Sequence, residues 1–143
     1  MRRLRFGLIG CLVLLLTASC DAPGPRPTIE PGAPLLTFQR IGGIAGFQDT
    51  LLIGYRGEFS LSQGGGRDRI GTLAKQRMAQ LASWRDAFLP FVMQLEDNPG
   101  GPDNMIRRVE LGGLGRRNAT DAEQRAVMDW AAELLVELST TKN

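Results

Sequence analysis

Five prolines in the fourteen residues "DAPGPRPTIEPGAP" (21–34) divide this chain into parts with different structural prospects. Each proline fixes φ and removes a backbone donor, so the stretch cannot pack as a helix or a central strand and favours extended polyproline II. At about 3.1 Å per residue it reaches roughly 40 Å. A packed core must come from the residues C-terminal to the prolines, and residues 35–139 are enough for one domain.

Upstream of the prolines the chain has the layout of a secretory signal. Arg2, Arg3 and Arg5 precede an uncharged run of eleven residues, Phe6–Leu16, and the small residues Thr17, Ala18 and Ser19 lead to Cys20. A spanning helix needs about 20 apolar residues, more than this run supplies. Small residues running into a cysteine resemble the bacterial lipobox, in which the signal is cut before the cysteine and the thiol receives diacylglycerol. Thr17 stands where that motif usually has Leu. The resemblance implies a signal peptide over 1–19, a lipid anchor on Cys20 and a stalk over 20–34. The head at 35–139 would then stand outside the cytoplasm in a bacterial cell envelope. Asp21 resembles the inner-membrane retention signal of enteric lipoproteins. The alternative is an ordinary signal, cleaved or not, with an incidental cysteine.

Charge and composition exclude several chemistries. Removing the three arginines of residues 1–19 leaves 14 Lys+Arg against 15 Asp+Glu, a net charge of −1. Nothing in that balance attracts nucleic acid. Cys11 belongs to the signal and Cys20 to the anchor, so the head has no disulfide and no thiol nucleophile. Histidine is absent, which removes the Ser-His-Asp triad, imidazole bases and His-based zinc sites. No cofactor and no catalytic residue are expected.

Periodicity places the elements. "LLTFQRI" (35–41), "TLLIGY" (50–55) and "EFSLS" (58–62) read as strands. Arg56-Gly57 reads as a tight turn in which Gly57 takes positive φ. "QGGGRDR" (63–69) reads as a flexible connection. From Leu73 the spacing becomes helical, with Ala74, Met78, Leu81, Trp84 or Arg85 and Phe88 on one stripe, Thr72 as N-cap and Pro90 beyond the end. "FVMQLE" (91–96) and "NMIRRVELGG" (104–113) read as two more strands. Thr120 and Glu123 spell a capping box before a helix whose apolar face is Val127, Trp130, Ala131, Leu134 and Leu138. The expected fold is α+β, an antiparallel sheet of four to five strands with two helices on one face.

"RIGGIAGF" (40–47) carries three glycines in a loop without the spacing of a dinucleotide or phosphate motif. One reading is a hairpin whose glycines satisfy backbone geometry. The other is a partner-binding loop of Gly42, Gly43, Ile44, Ala45, Gly46 and Phe47. "FQRIGGIAG", an alternating strand, a mid-chain helix and a final helix containing "DW" resemble the emfourin family, inhibitors of thermolysin-like zinc peptidases of the protealysin type. The resemblance covers about 36–138 in element order, and Arg40, Gly42, Gly43, Ala45 and Gly46 are its distinctive residues. It implies a secreted metallopeptidase as partner, with Ile44 or Phe47 filling an apolar subsite. The signal, the stalk and "EDNPGGPDN" (96–104) depart from the small family members.

Three other groups have both a functional and a plain reading. Glu96, Asp97 and Asp103 are calcium-type ligands without the calcium-loop spacing, and the same residues describe a rigid turn. Trp84 and Trp130 offer a sugar platform or core packing. Arg107-Arg108 and Arg116-Arg117 are anionic-polymer contacts or solvated surface. The expectation is a non-catalytic envelope lipoprotein that touches the membrane through Cys20 and binds a secreted metallopeptidase or another envelope protein. The rival is a structural or assembly lipoprotein with no peptidase target.

Overall fold

The computed structural model describes residues 32–66 and 68–141. The segment expected to be a signal, Cys20 and the part of the expected stalk before Gly32 lie outside the described residues. Six strands, β1 (Leu36–Gly42), β2 (Phe47–Ile53), β3 (Glu58–Ser62), β4 (Arg69–Thr72), β5 (Phe91–Glu96) and β6 (Met105–Leu111), form one sheet in the order β4-β3-β2-β1-β6-β5. Every neighbouring pair is antiparallel. Helix α1 (Lys75–Ala87) links the two edge strands, and α2 (Asp121–Thr140) follows β6.

The alternation along each strand decides which face is covered. Leu36, Phe38, Leu51, Ile53, Leu61, Val109 and Leu111 share one face by register and are all buried. Val127, Met128, Trp130, Ala131, Leu134 and Leu135 of α2 and Leu81 of α1 complete that core. Each such large side chain contributes about 1.5–3 kcal/mol by leaving water. The α2 stripe is wider than the periodic reading, because Met128 and Leu135 are buried as well. Trp84 and Trp130 meet edge to face at 5.4 Å between the two helices, with Trp130 buried. Trp130 is in the core and Trp84 packs against it, as the plain reading of the pair expects.

The sheet is α+β and antiparallel as expected, but it has six strands rather than four to five. The additional strand, β4, lies partly in the stretch read as a flexible connection. Its four residues, Arg-Ile-Gly-Thr, have no alternation of their own, and pairing with β3 makes them a strand. A Cβ on Gly71 would lie 2.8 Å from the Phe59 ring opposite it, so a larger residue there would have to push that ring aside. Thr72 is consequently not the cap of α1. It pairs with Glu58 in the sheet, the helix begins three residues later at Lys75, and its N-cap Ala74 has no side-chain bond to give. Gly57 does take positive φ, +87°, at the β2–β3 turn.

The other end of α1 is held by the segment after β6. Leu114 N–H donates to Arg85 O at 2.6 Å and Gly115 N–H to Phe88 O at 2.7 Å, so carbonyls left free at the end of the helix find partners. Leu89 N–H donates to Arg117 O at 2.8 Å, completing the seam. The strand read as ending at Gly113 stops at Leu111, and Gly112 and Gly113 already belong to this crossing.

The capping box of α2 is present in full: Thr120 Oγ1 accepts from Glu123 N–H, and the Glu123 carboxylate accepts from Thr120 N–H. Arg117 adds two bonds to the Glu123 carboxylate, at 2.8 and 2.6 Å. The Arg117 bonds first, and then the Thr120 N–H, lower its pKa from 4.5 to about 2. A folded-state pKa below the unfolded value stabilises at pH above 4.5 and loses that contribution as pH falls toward 2. The difference in melting temperature between the wild type and Glu123→Gln is expected to shrink across that window, and thermal melts at successive pH values measure it.

Candidate functional site

The β1–β2 hairpin presents the loop singled out in the sequence. Register pairs Gly42 with Phe47 and Arg40 with Asp49, leaving residues 43–46 as the connection. Gly42, Gly43 and Gly46 all have positive φ, at 94°, 73° and 64°. Gly46 N–H closes the loop on Gly43 O at 2.9 Å. The neighbouring β5–β6 turn braces it, since Asn104 O accepts from Gly43 N–H at 2.8 Å. A Cβ on Gly42 would lie 2.5 Å from that same Asn104 oxygen. The geometric demand on these glycines is real, so the plain reading of the motif accounts for them.

It does not account for Ile44. This side chain is 89 % exposed at the tip, the most exposed large apolar residue among those described. Ala45 and Gly46 are exposed beside it. Phe47 is placed differently. It is the first residue of β2, half-buried, with the Arg40 guanidinium 3.9 Å above its ring centroid. Of the two apolar side chains proposed for contact, Ile44 projects and Phe47 braces.

Arg40 does more than cover Phe47. Its Nε donates to Asp49 Oδ2 at 2.8 Å and its Nη2 reaches the same oxygen at 2.5 Å. Asp49 is 3 % exposed, whereas the Arg40 side chain keeps 21 %. A buried carboxylate stripped of its cation is costly, and partial access of water to the Arg40 side softens the cost. Arg40→Met is expected to destabilise the fold by about 1.5–2 kcal/mol, and adding Asp49→Leu to recover part of it. Urea titration of the three variants tests both statements. Asp49 escapes the sequence reading because the alternating run "TLLIGY" begins β2 at Thr50. A hairpin register centred on residues 43–46 is the signal that pairs it with Arg40.

Arg107 lies opposite Arg40 on the far side of β1. It pairs with Asp97 at 2.7 Å and lies 3.8 Å from Asp129 of α2, while Arg108, on the other face, pairs with Glu110. Arg117 is taken up by Glu123 and by the Phe88 ring 4.7 Å away. The carboxylates of the β5–β6 turn are each engaged as well: Glu96 by Asn104, Asp97 by Arg107 and Asp103 by Asn98. Among the described residues no three His, Cys, Asp or Glu side chains gather where a metal ion could be held. No described helix is long and apolar enough to cross a membrane.

Comparison with family models, with curated proteins and with solved structures gives no match to this chain. The functional reading therefore rests on the hairpin itself.

Proposed function

We propose that this protein is a membrane-tethered binding module, in which lipid on Cys20 holds a non-catalytic head that engages another protein through the tip of the β1–β2 hairpin. The observation that carries the reading is Ile44: a large apolar side chain fully offered to solvent on a loop clamped by Arg40–Asp49, by Arg40 over Phe47 and by Asn104. A loop already held in one shape loses little entropy on binding, and a single apolar anchor entering a pocket can dominate an interface.

The partner proposed from the emfourin resemblance is a secreted thermolysin-like metallopeptidase. Ile44 would occupy an apolar subsite, with Gly43, Ala45 and Gly46 letting the backbone pass close to the cleft. Binding in this mode blocks substrate access and involves no chemistry by the head. Titrating the purified protein against a panel of thermolysin-like enzymes tests it directly. Inhibition at micromolar concentration or below supports the reading. If every enzyme retains full activity, the peptidase is removed as partner and crosslinking in the native envelope must identify the protein bound at the hairpin. Mass spectrometry of the native protein is expected to find diacylglyceryl-cysteine at position 20, and an unmodified thiol there rejects the tether.

A further inference from the structure

The two edges of the sheet are finished differently. β4 is four residues long with Gly71 inside it, and Arg69 at its start donates to Leu138 O and Thr141 O at the end of α2. β5 has six residues, and its register with β6 runs without a break from Phe91–Leu111 to Glu96–Ile106. Among the described residues it has no neighbour on its other side. Natural edge strands are blunted by proline, lysine, a bulge or a charge turned inward. "FVMQLE" has none of these, and its one charge, Glu96, comes last on the exposed side.

The ladder fixes which backbone groups that edge offers. Asp97 N–H donates to Met105 O at 3.0 Å, which continues the register as a hydrogen-bonded pair. Such pairs alternate between antiparallel strands. Phe91, Met93 and Leu95 therefore give their N–H and C=O groups to β6, and Val92, Gln94 and Glu96 direct theirs to the open edge. The side chains divide in the same way. Phe91, Met93 and Leu95 point to the helix layer and are only half-buried, although Val109 and Leu111 beside them on β6 are buried. Val92, 55 % exposed, lies on the open face opposite the helices.

We infer that β5 pairs antiparallel with β5 of a second copy about a two-fold axis at Met93, joining two six-stranded sheets into one. This register sets Val92 opposite Gln94 of the second copy, where the outward N–H and C=O groups of both exchange bonds. On the helix side it sets Phe91 opposite Leu95 and Met93 opposite Met93, so the half-buried apolar groups cover one another. An axis at Gln94 would instead put Phe91 opposite Asp97. An axis at Val92 would put Pro90, which has no N–H, into a bonded pair. Charge favours a second copy over a foreign strand. The register brings Asp97 opposite Leu89, whose N–H donates to Arg117 O at 2.8 Å. The β5–β6 turn of each copy, with Glu96, Asp97 and Asp103 and no basic residue, thus comes beside the Arg116–Arg117 crossing of the other. Arg116 is exposed and makes no ion pair among the described residues. Pairing consumes the long edge of both copies, so assembly stops at two. The Ile44 tips would stand at opposite ends of the joined sheet, and the dimer depends neither on them nor on lipid at Cys20.

The test uses the full chain with Cys11→Ser and Cys20→Ser, so that an introduced thiol is the only one, in a mild detergent that shields the apolar run Phe6–Leu16. Met93 would lie about 4.5 Å from its counterpart between Cα atoms, within disulfide range. Val92 and Gln94 would each lie roughly 8 Å from theirs, beyond it. Met93→Cys is expected to form a disulfide-linked dimer under mild oxidation at least tenfold faster than Val92→Cys or Gln94→Cys, although both control positions are the more exposed. Equal rates, or faster linkage at either control, overturn the pairing. A second measurement needs no thiol. Gln94→Pro removes an N–H that the dimer uses and the fold does not, a place where an edge strand accepts proline. At tens of micromolar, light scattering is expected to give Gln94→Pro half the protein mass of its parent chain, with the circular dichroism of the two alike. A parent chain that is already monomeric, or a Gln94→Pro variant that stays dimeric, overturns the proposal.

Discussion

Ile44→Asp is expected to weaken capture of the hairpin's partner by about 30- to 150-fold while leaving the melting temperature of the head within about 2 °C of wild type. The two halves of this expectation come from one number, the 89 % exposure of the side chain. A residue that touches almost nothing in the free protein contributes almost nothing to folding, so its replacement by a charge is tolerated. In a complex the same side chain would leave water, a gain of about 2–3 kcal/mol that an aspartate forfeits. Val136→Asp is the control, since that valine is 52 % exposed on α2 and is expected to leave capture unchanged. Affinity is measured by titration with the partner identified by inhibition or crosslinking, and folding by thermal melts. Wild-type binding by Ile44→Asp would remove the hairpin as the contact. Loss of binding in both variants would point to a general effect of surface charge.

The elements most readable in the sequence are those specified by neighbours along the chain. Thr120 and Glu123 close their box within one helical turn, so the start of α2 is written locally. The pairing of Leu51 with Leu61 and Ile53 with Phe59 follows from alternation on both sides of a glycine turn. Distant neighbours determine the rest. β4 is a strand because β3 offers it a ladder, and Thr72, a good cap by composition, is claimed by Glu58 instead. The open face is hidden in the sequence because "LLI" (51–53) has no polar residue to mark its outward position, which Leu52 occupies. In the hairpin the loop and its glycines are legible, but the division of labour between Ile44 and Phe47 is not. That division depends on Arg40 reaching Asp49 across the register and coming to rest on the Phe47 ring.

Gly115→Ala is expected to destabilise the head by more than about 3 kcal/mol, enough to lower its melting temperature by about 12 °C or more. The reason is steric and not conformational, since Gly115 is absent from the glycines of positive φ. A Cβ at this position would lie 2.1 and 2.2 Å from the carbonyl carbon and oxygen of Ala87 and 2.3 Å from the Phe88 nitrogen. All three are backbone atoms at the end of α1, so no side-chain rotation relieves them. Opening the gap means lengthening the bonds from Leu114 to Arg85 and from Gly115 to Phe88, which satisfy the last carbonyls of the helix. Phe88, buried in the core at 3 % exposure, would have to move with them. Gly101→Ala makes the contrast sharp. Its methyl would also come within 2.1 Å of another atom, but that atom is the Asn98 side-chain nitrogen on an exposed turn, which can swing aside. The expected loss there is below about 1 kcal/mol. Equal melting temperatures for the two variants would mean that the β6–α2 crossing does not hold the end of α1, whereas a large gap between them would identify that crossing as what holds it.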